Sequence, residues 1–310
     1  MHQTRILVPI SFSPQSDMAL KLAKSLARRS NIMLTCLYVI EKPGFISGLV
    51  MTIELEKKIR REAEIRLSSK VNEIIPESED VPYEVIITSG KVYMKILEKA
   101  SEFRAKMIIM GQSDTPDQKT RHIGSNAARV IARSPVPVIT TGKEIPPRIR
   151  EMLLPLDLTD NVSIKIAQTL TLAELLNAGV TVCTVLDHSM KELRQAANKR
   201  LDLIVKVFSD YEIRSKATIL ETERDISGTL LNYARDINAD LMIMMTQEEC
   251  NMTEMFIGST AREVIRMSGI PVMSIIPNIH TNLYPYRALF GEVNKPLSRR
   301  DAAGLLIHHS

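Results

Sequence analysis

The sequence predicts an α/β protein of two domains, each an open parallel sheet covered by helices on both faces. Three observations carry this: an internal repeat, the alternation of short apolar runs with helix-period segments, and strands that read as near-continuous apolar runs. Such runs belong to strands buried on both faces, as crossover helices require.

The repeat is visible in matched segments. Ile6 to Ser11 (ILVPIS) faces Met152 to Asp157 (MLLPLD), and Leu34 to Glu41 faces Val180 to Asp187, both at an offset of 146. Further on, Met107 to Gly111 faces Leu241 to Met245, Ile123 to Ile131 faces Ile257 to Ile265, and Ser134 to Ile139 faces Ser268 to Met273, at an offset of 134. The fall in offset from 146 to 134 places about twelve extra residues in the first repeat, between its second strand and its third.

Taken in order, Ile6 to Pro9 is the first strand. A helix over 16–28 follows, with an apolar stripe at Ala19, Leu22, Ala23 and Leu26. Leu34 to Glu41 is the second strand, and 52–75 reads as a long helix. Strand 81–88, helix 92–103 and the apolar strand Met107 to Met110 complete the pattern. The stretch 141–148, TGKEIPPR, holds two prolines and a glycine and marks a domain boundary. Domains are therefore expected at 1–143 and 150–277, with a tail at 278–310.

Composition narrows the function classes. With 310 residues, 45% hydrophobic and 25% charged, the chain can build two cores. A formal net charge of +4 gives no argument for nucleic acid or an acidic membrane as partner. Cys36, Cys183 and Cys250 form no paired framework or thiolate metal site and read as buried small hydrophobes. No apolar run reaches the ~20 residues of a membrane span. The first residues lack the pattern of a secretory signal, so a cytoplasmic location is expected.

The stretch GQSDTPDQKTRHIGS, Gly111 to Ser125, joins a strand end to a helix start. Ligands of open parallel sheets bind beyond the carboxyl ends of the strands. A strand-end glycine allows close approach of backbone, and Gly124-Ser125 would offer helix N-terminal N–H groups to an anion. Ser125 could equally be an N-cap in an ordinary turn.

Together with Ile6-Leu-Val-Pro9, the run Phe12 to Leu20, Leu37-Tyr-Val39 and Pro135-Val-Pro-Val138, this stretch resembles the universal stress protein family in its tandem two-domain form, over residues 4–277. The resemblance implies a Rossmann-like (adenine nucleotide alpha hydrolase-like) five-stranded sheet per domain and a role in stress response. In some members it implies ATP binding through a glycine, two residues, a second glycine, nine residues and a Gly-Ser or Gly-Thr pair.

Carried across, the motif falls on Gly111, Asp114, Gly124 and Ser125, with Asn126 following, so an aspartate stands at the second glycine. Pro9, Ile10, Val39 and Met110 match positions that line the nucleoside, and Ser11 stands where nucleotide-binding members tend to have aspartate. In the second repeat Asp157 is present, but Met245 and Glu248 replace the glycines and only Gly258-Ser259 remains. Glu248, Glu249 and Glu254 would repel a polyphosphate there. Thr260 and Glu263 have capping-box spacing, which gives that segment a structural role.

The expected ligand is ATP, with magnesium, in the first repeat, while the second holds a degenerate site. The alternative is an interaction protein that binds no nucleotide and recruits an unknown protein partner through its apolar loop and tail. No Ser-His-Asp or Cys-His set can be assembled, and no complete metal site, so catalysis beyond slow ATP hydrolysis is not expected. The resemblance further implies pairing through the last strands, Val136 to Thr140 and Pro271 to Ile275, within the chain or in a homodimer. His122 reads as a solvated loop residue, and Lys57, Lys58, Arg60 and Arg61 as the solvated face of a helix. The apolar segment Pro43 to Val50 reads as a flap, an intersubunit contact or a packed excursion.

Overall fold

The computed structural model describes residues 4–28, 32–41, 53–112, 122–158, 162–187, 191–246 and 257–275. Asp114, Cys250, the carboxylates Glu248, Glu249 and Glu254, segment 43–50 and the tail 278–310 lie outside them. The chain divides into two compact units, Met1–Pro147 and Arg148–Ser310.

The first unit runs β1 (Thr4–Pro9), α1 (Pro14–Ala27), β2 (Ile32–Ile40), α2 (Ile53–Ile74), β3 (Tyr83–Ser89), α3 (Val92–Glu102), β4 (Met107–Gly111), α4 (Ser125–Arg133) and β5 (Val138–Thr141). Its strands lie in the order β3-β2-β1-β4-β5, with parallel pairing throughout. The chain steps outward from β1 through β2 to β3, then crosses back to β4 and β5. Right-handed crossovers in opposite directions set α1 and α2 on one face and α3 and α4 on the other. Between the faces, Ile6, Leu7, Leu34, Leu37, Ile108 and Ile109 are fully buried.

Local sequence explains the helix boundaries. Ser13 caps α1, its Oγ accepting the Ser16 N–H at 3.2 Å, and Pro14 fills the first turn where no N–H is needed. In α2, Ala63, Leu67, Val71 and Ile74 form the buried stripe, while Lys57, Lys58, Arg60 and Arg61 are exposed.

The second unit repeats the plan: β6 (Glu151–Pro155), α5 (Ser163–Leu176), β7 (Gly179–Asp187), α6 (Lys191–Asp210), β8 (Ser215–Thr222), α7 (Ile226–Asp236), β9 (Leu241–Met245), α8 (Ser259–Met267) and β10 (Val272–Ile275). Its order is β8-β7-β6-β9-β10, again parallel. Met242, Met244 and Met245 are buried in β9, as Met107 and Met110 are in β4, so these methionines are core.

Both helices that follow a Gly-Ser pair begin in the same way. Gly124, not Ser125, is the N-cap of α4; Ser125 is its first helical residue. Gly258 likewise caps α8 without a side chain, so Thr260 and Glu263 form no capping box. Glu263 lies beyond the cap position and pairs with Arg266 at 3.4 Å.

Candidate functional site

Strand order reverses between β1 and β4, which makes the space beyond their carboxyl ends the topological switch point of the first unit. Pro9, Ile10 and Ser11 leave β1 on one side of it, and Met110 and Gly111 end β4 on the other. The Ile10 N–H donates to the Leu37 carbonyl at 2.8 Å, which carries the β1–β2 ladder past the strand end toward Val39. Val39 and Met110 are buried, whereas Ser11 is exposed, its Oγ 3.0 Å from that of Ser13.

Gly111 has a packing role. A Cβ there would lie 2.9 Å from the backbone carbonyl carbon of Gln15, so the glycine lets the first turn of α1 close on the end of β4. This contact accounts for the glycine without a ligand.

The Gly124 N–H donates to the Gln112 carbonyl at 2.9 Å, which pins the start of α4 against the end of β4. Gly124 has φ −57° and ψ 146°, a backbone open to any residue. It offers no side chain to the first turn of α4, so the helix begins with N–H groups bearing the positive end of its dipole. Ser125 is exposed there and Asn126 half-buried. His122 is exposed, as a solvated loop residue would be. Of the sequence-predicted positions, nine thus gather at the carboxyl ends of β1, β2 and β4, and the tenth, Asp114, falls outside the described residues.

Phe12, absent from the sequence-based set, follows Ser11 directly. It has φ 61°, in the left-handed region. Its ring lies 4.8 Å from that of Tyr38 and 4.2 Å under the guanidinium of Arg66. A groove of about 520 Å³ runs beside Phe12, walled by Ile65, Arg66, Ser69 and Lys70 of α2.

The second unit keeps the backbone plan and alters the chemistry. Leu156 N–H donates to the Cys183 carbonyl at 2.8 Å, and Gly258 N–H to the Thr246 carbonyl at 2.8 Å, reproducing the Ile10 and Gly124 bonds. Here, however, Asp157, Lys165 and Arg200 are all buried, each 4% exposed. The Lys165 Nζ reaches the Pro155 carbonyl at 3.4 Å, and Arg200 donates to the Leu158 carbonyl, so cations stand on either side of Asp157 along the chain. At the repeat offsets, Lys165 corresponds to Ala19 and Arg200 to Arg66. Sequence reasoning missed both; a lysine among the apolar residues of α5, at a position the first repeat fills with alanine, was the available signal.

Burial pushes the Cys36 thiol up to about 12, with the Glu84 charge adding to it, and burial raises Cys183 further still. Neither is a nucleophile at neutral pH. Among the described residues no group of three or more His, Cys, Asp and Glu side chains is placed to hold a metal ion, and no helix is long and apolar enough to cross a membrane.

A doubly wound α/β repeat, in which strand order reverses between β1 and β4 and a helix without a side-chain cap begins beyond β4, is the architecture whose switch point holds ligands in open parallel sheets. The profile of the universal stress protein family matches residues 3–141 and again 149–275, and the chain belongs to that family in tandem form. A universal stress protein from Archaeoglobus fulgidus DSM 4304 superposes with a TM-score of 0.69 at 19% identity, covering 89% of this chain and 97% of that one. A functionally unknown protein from Pseudomonas aeruginosa PAO1 gives 0.64 at 17% identity, over 94% and 95%. Another Archaeoglobus fulgidus universal stress protein, solved in complex with dAMP, is 18% identical over 41% of this chain and 97% of that one, with a TM-score of 0.35. No curated protein matches the chain.

Proposed function

We propose that the chain is a stress-response regulatory protein of the cytoplasm that binds an adenine nucleotide, ATP with magnesium, in the first unit and none in the second. The observation that carries this is the contrast between two equivalent crevices. In the first, Ser11 is exposed and the first turn of α4 opens without a side-chain cap. In the second, the same region is lined from within by buried Lys165 and Arg200.

The residues of the first crevice fit an adenine nucleotide in kind. Pro9, Ile10, Val39 and Met110 offer apolar surface for a base. Gly124, Ser125 and Asn126 offer backbone N–H groups to phosphate, as helix N-termini do. Ser11 offers a neutral hydroxyl where an acidic side chain would accept hydrogen bonds more strongly.

A second reading is favoured by Ser11 and by Asp114 in the phosphate-loop sequence: an interaction protein that binds no nucleotide and acts by recruiting a partner protein. Heat-denaturing the purified chain and chromatographing the released small molecules, with calorimetric titration of ATP, ADP and AMP in magnesium, separates the two. Adenine nucleotide released, or a binding isotherm lost in Ser125→Pro, supports the first. No nucleotide and no heat with any of the three leaves the second.

A further inference from the structure

Helix α4 turns Ser125, Arg129 and Arg133 outward at successive i,i+4 positions, all exposed, while Ala127, Val130 and Ile131 are buried behind them. Both guanidiniums converge on a single ring of α3: Arg129 lies 5.1 Å and Arg133 5.7 Å from the centroid of Tyr93. Among the described residues neither arginine has an ion-pair partner, whereas the lysines of α3 are satisfied locally, Lys95 by Glu98 at 2.7 Å and Lys99 by Glu102 at 2.6 Å.

Like charges one helical turn apart disfavour each other. A cation–π contact takes up none of the guanidinium N–H donors, which remain available in the fork geometry that matches a carboxylate. The fold does not need this arrangement. At the equivalent positions of the second unit stand Glu263, Met267 and Ser227, and Glu263 pairs with its own Arg266.

We propose that Arg129 and Arg133, gathered over Tyr93, form a docking point for an acidic segment of a protein partner. The surface is the outer side of a helix pair rather than a cleft, which suits a peptide better than a small molecule. Two guanidiniums are too few to follow the continuous backbone of a nucleic acid, and the lysines of the neighbouring helix are already neutralised by Glu98 and Glu102. Met94, 50% exposed beside Tyr93, adds apolar surface for a side chain carried between the carboxylates. The inference stands on charge and geometry outside the crevice and does not depend on nucleotide binding.

The test is an NMR titration of the ¹⁵N-labelled full chain with a capped peptide holding two glutamate pairs around one leucine. A glutamine version of that peptide, inorganic phosphate and a short single-stranded oligonucleotide are run alongside. The glutamate peptide should shift the amides of Tyr93, Arg129 and Arg133 and bind at least about fivefold tighter than the glutamine one, and raising salt from about 50 to about 300 mM should weaken it. Arg129→Gln with Arg133→Gln should abolish the shifts. Arg129→Lys with Arg133→Lys, which keeps the charge and loses the forks, should weaken binding about threefold or more. The proposal is overturned if those amides do not move, if the glutamine double variant binds the peptide as well as the parent, or if phosphate or the oligonucleotide competes at the same amides with higher affinity.

Discussion

The guanidinium of Arg66 lies 4.2 Å above the ring of Phe12, and its counterpart one repeat later, Arg200, donates to the backbone carbonyl of Leu158, the counterpart of Phe12. In both units an arginine of the long crossover helix holds the turn that follows the first strand, but by different chemistry. The first is an exposed cation on an aromatic face; the second is a buried charged hydrogen bond.

The two arginines should therefore differ in their cost of removal. Arg66→Met gives up a cation–π contact worth about 0.5–1 kcal/mol at an exposed site. Arg200→Met gives up a charged hydrogen bond worth about 1.5–3 kcal/mol and leaves a buried carbonyl unpaired. Urea denaturation should show Arg200→Met as the larger loss; equal losses would mean that Arg200 contributes no more than its stem.

Phe12 sits at φ 61°, where a non-glycine residue costs about 1–2 kcal/mol. Phe12→Gly relieves that strain while losing ring contacts of similar size, so its net effect on stability should fall within about 1 kcal/mol of zero. Phe12→Ala loses the contacts and keeps the strain, and should be less stable than Phe12→Gly by about 1 kcal/mol. The ordering of the two midpoints is the measurement; alanine at or above glycine refutes the strain argument.

Gly111 and Gly258 should separate just as clearly. Gly111→Ala sets a Cβ 2.9 Å from backbone of α1 and should cost about 1–3 kcal/mol. At Gly258 a Cβ meets only the Thr246 carbonyl at 3.8 Å, and φ is −53°, so Gly258→Ala should stay under about 1 kcal/mol. Thermal melts of the two variants decide it.

Cys36 links stability to alkaline pH. Its thiol titrates near 9 when free and near 12 in the fold, so the folded state holds the proton through that window and the unfolded state releases it. The contribution is fully present below pH 9 and is lost as pH rises toward 12, at up to about 1.4 kcal/mol per pH unit. Cys36→Ala should lose stability less steeply over that range than the parent. Parallel stability curves would show that the thiol is not held neutral.

On the proposed nucleotide reading, two substitutions in the first unit should strengthen binding. Asp114→Gly removes a carboxylate from the loop, and Ser11→Asp supplies an acceptor on the nucleoside side. With a charged hydrogen bond worth about 1.5–3 kcal/mol, the double variant should bind ATP roughly tenfold to a few hundredfold more tightly. Met245→Gly with Glu248→Gly in the second unit should gain much less. A first-unit double variant no tighter than the parent by calorimetry would favour the interaction-protein reading.

Much of this architecture was readable beforehand because it repeats. Two copies of the same strand, helix and Gly-Ser order allowed each to check the other, and the buried strands declared themselves as runs such as Met107 to Met110. What escaped were features made by convergence in space. Nothing near Phe12 in the chain signals its left-handed backbone, since the residues that hold it, Tyr38 and Arg66, come from β2 and α2. Arg200 looks like an ordinary surface cation until α6 turns it inward, and Lys165 is betrayed only by its apolar neighbours in α5. Serine is a strong capping type, so the sequence offers Ser125 as a possible cap of α4, whereas the closing bond from Gly124 to Gln112 is made by backbone alone and leaves no mark in side-chain identity.

That closing bond has a consequence for how such a protein can change. Gln112 with Gly124, and Thr246 with Gly258, fasten the two ends of each loop to one another, so strand and helix hold their places whatever the eleven residues between them are. Lengthening a loop whose ends are already fastened costs only about 0.6 kcal/mol per doubling. Each repeat thus carries an exchangeable stretch of sequence, one of mixed charge and the other acidic, whose composition can change by insertion or exchange without renegotiating the core.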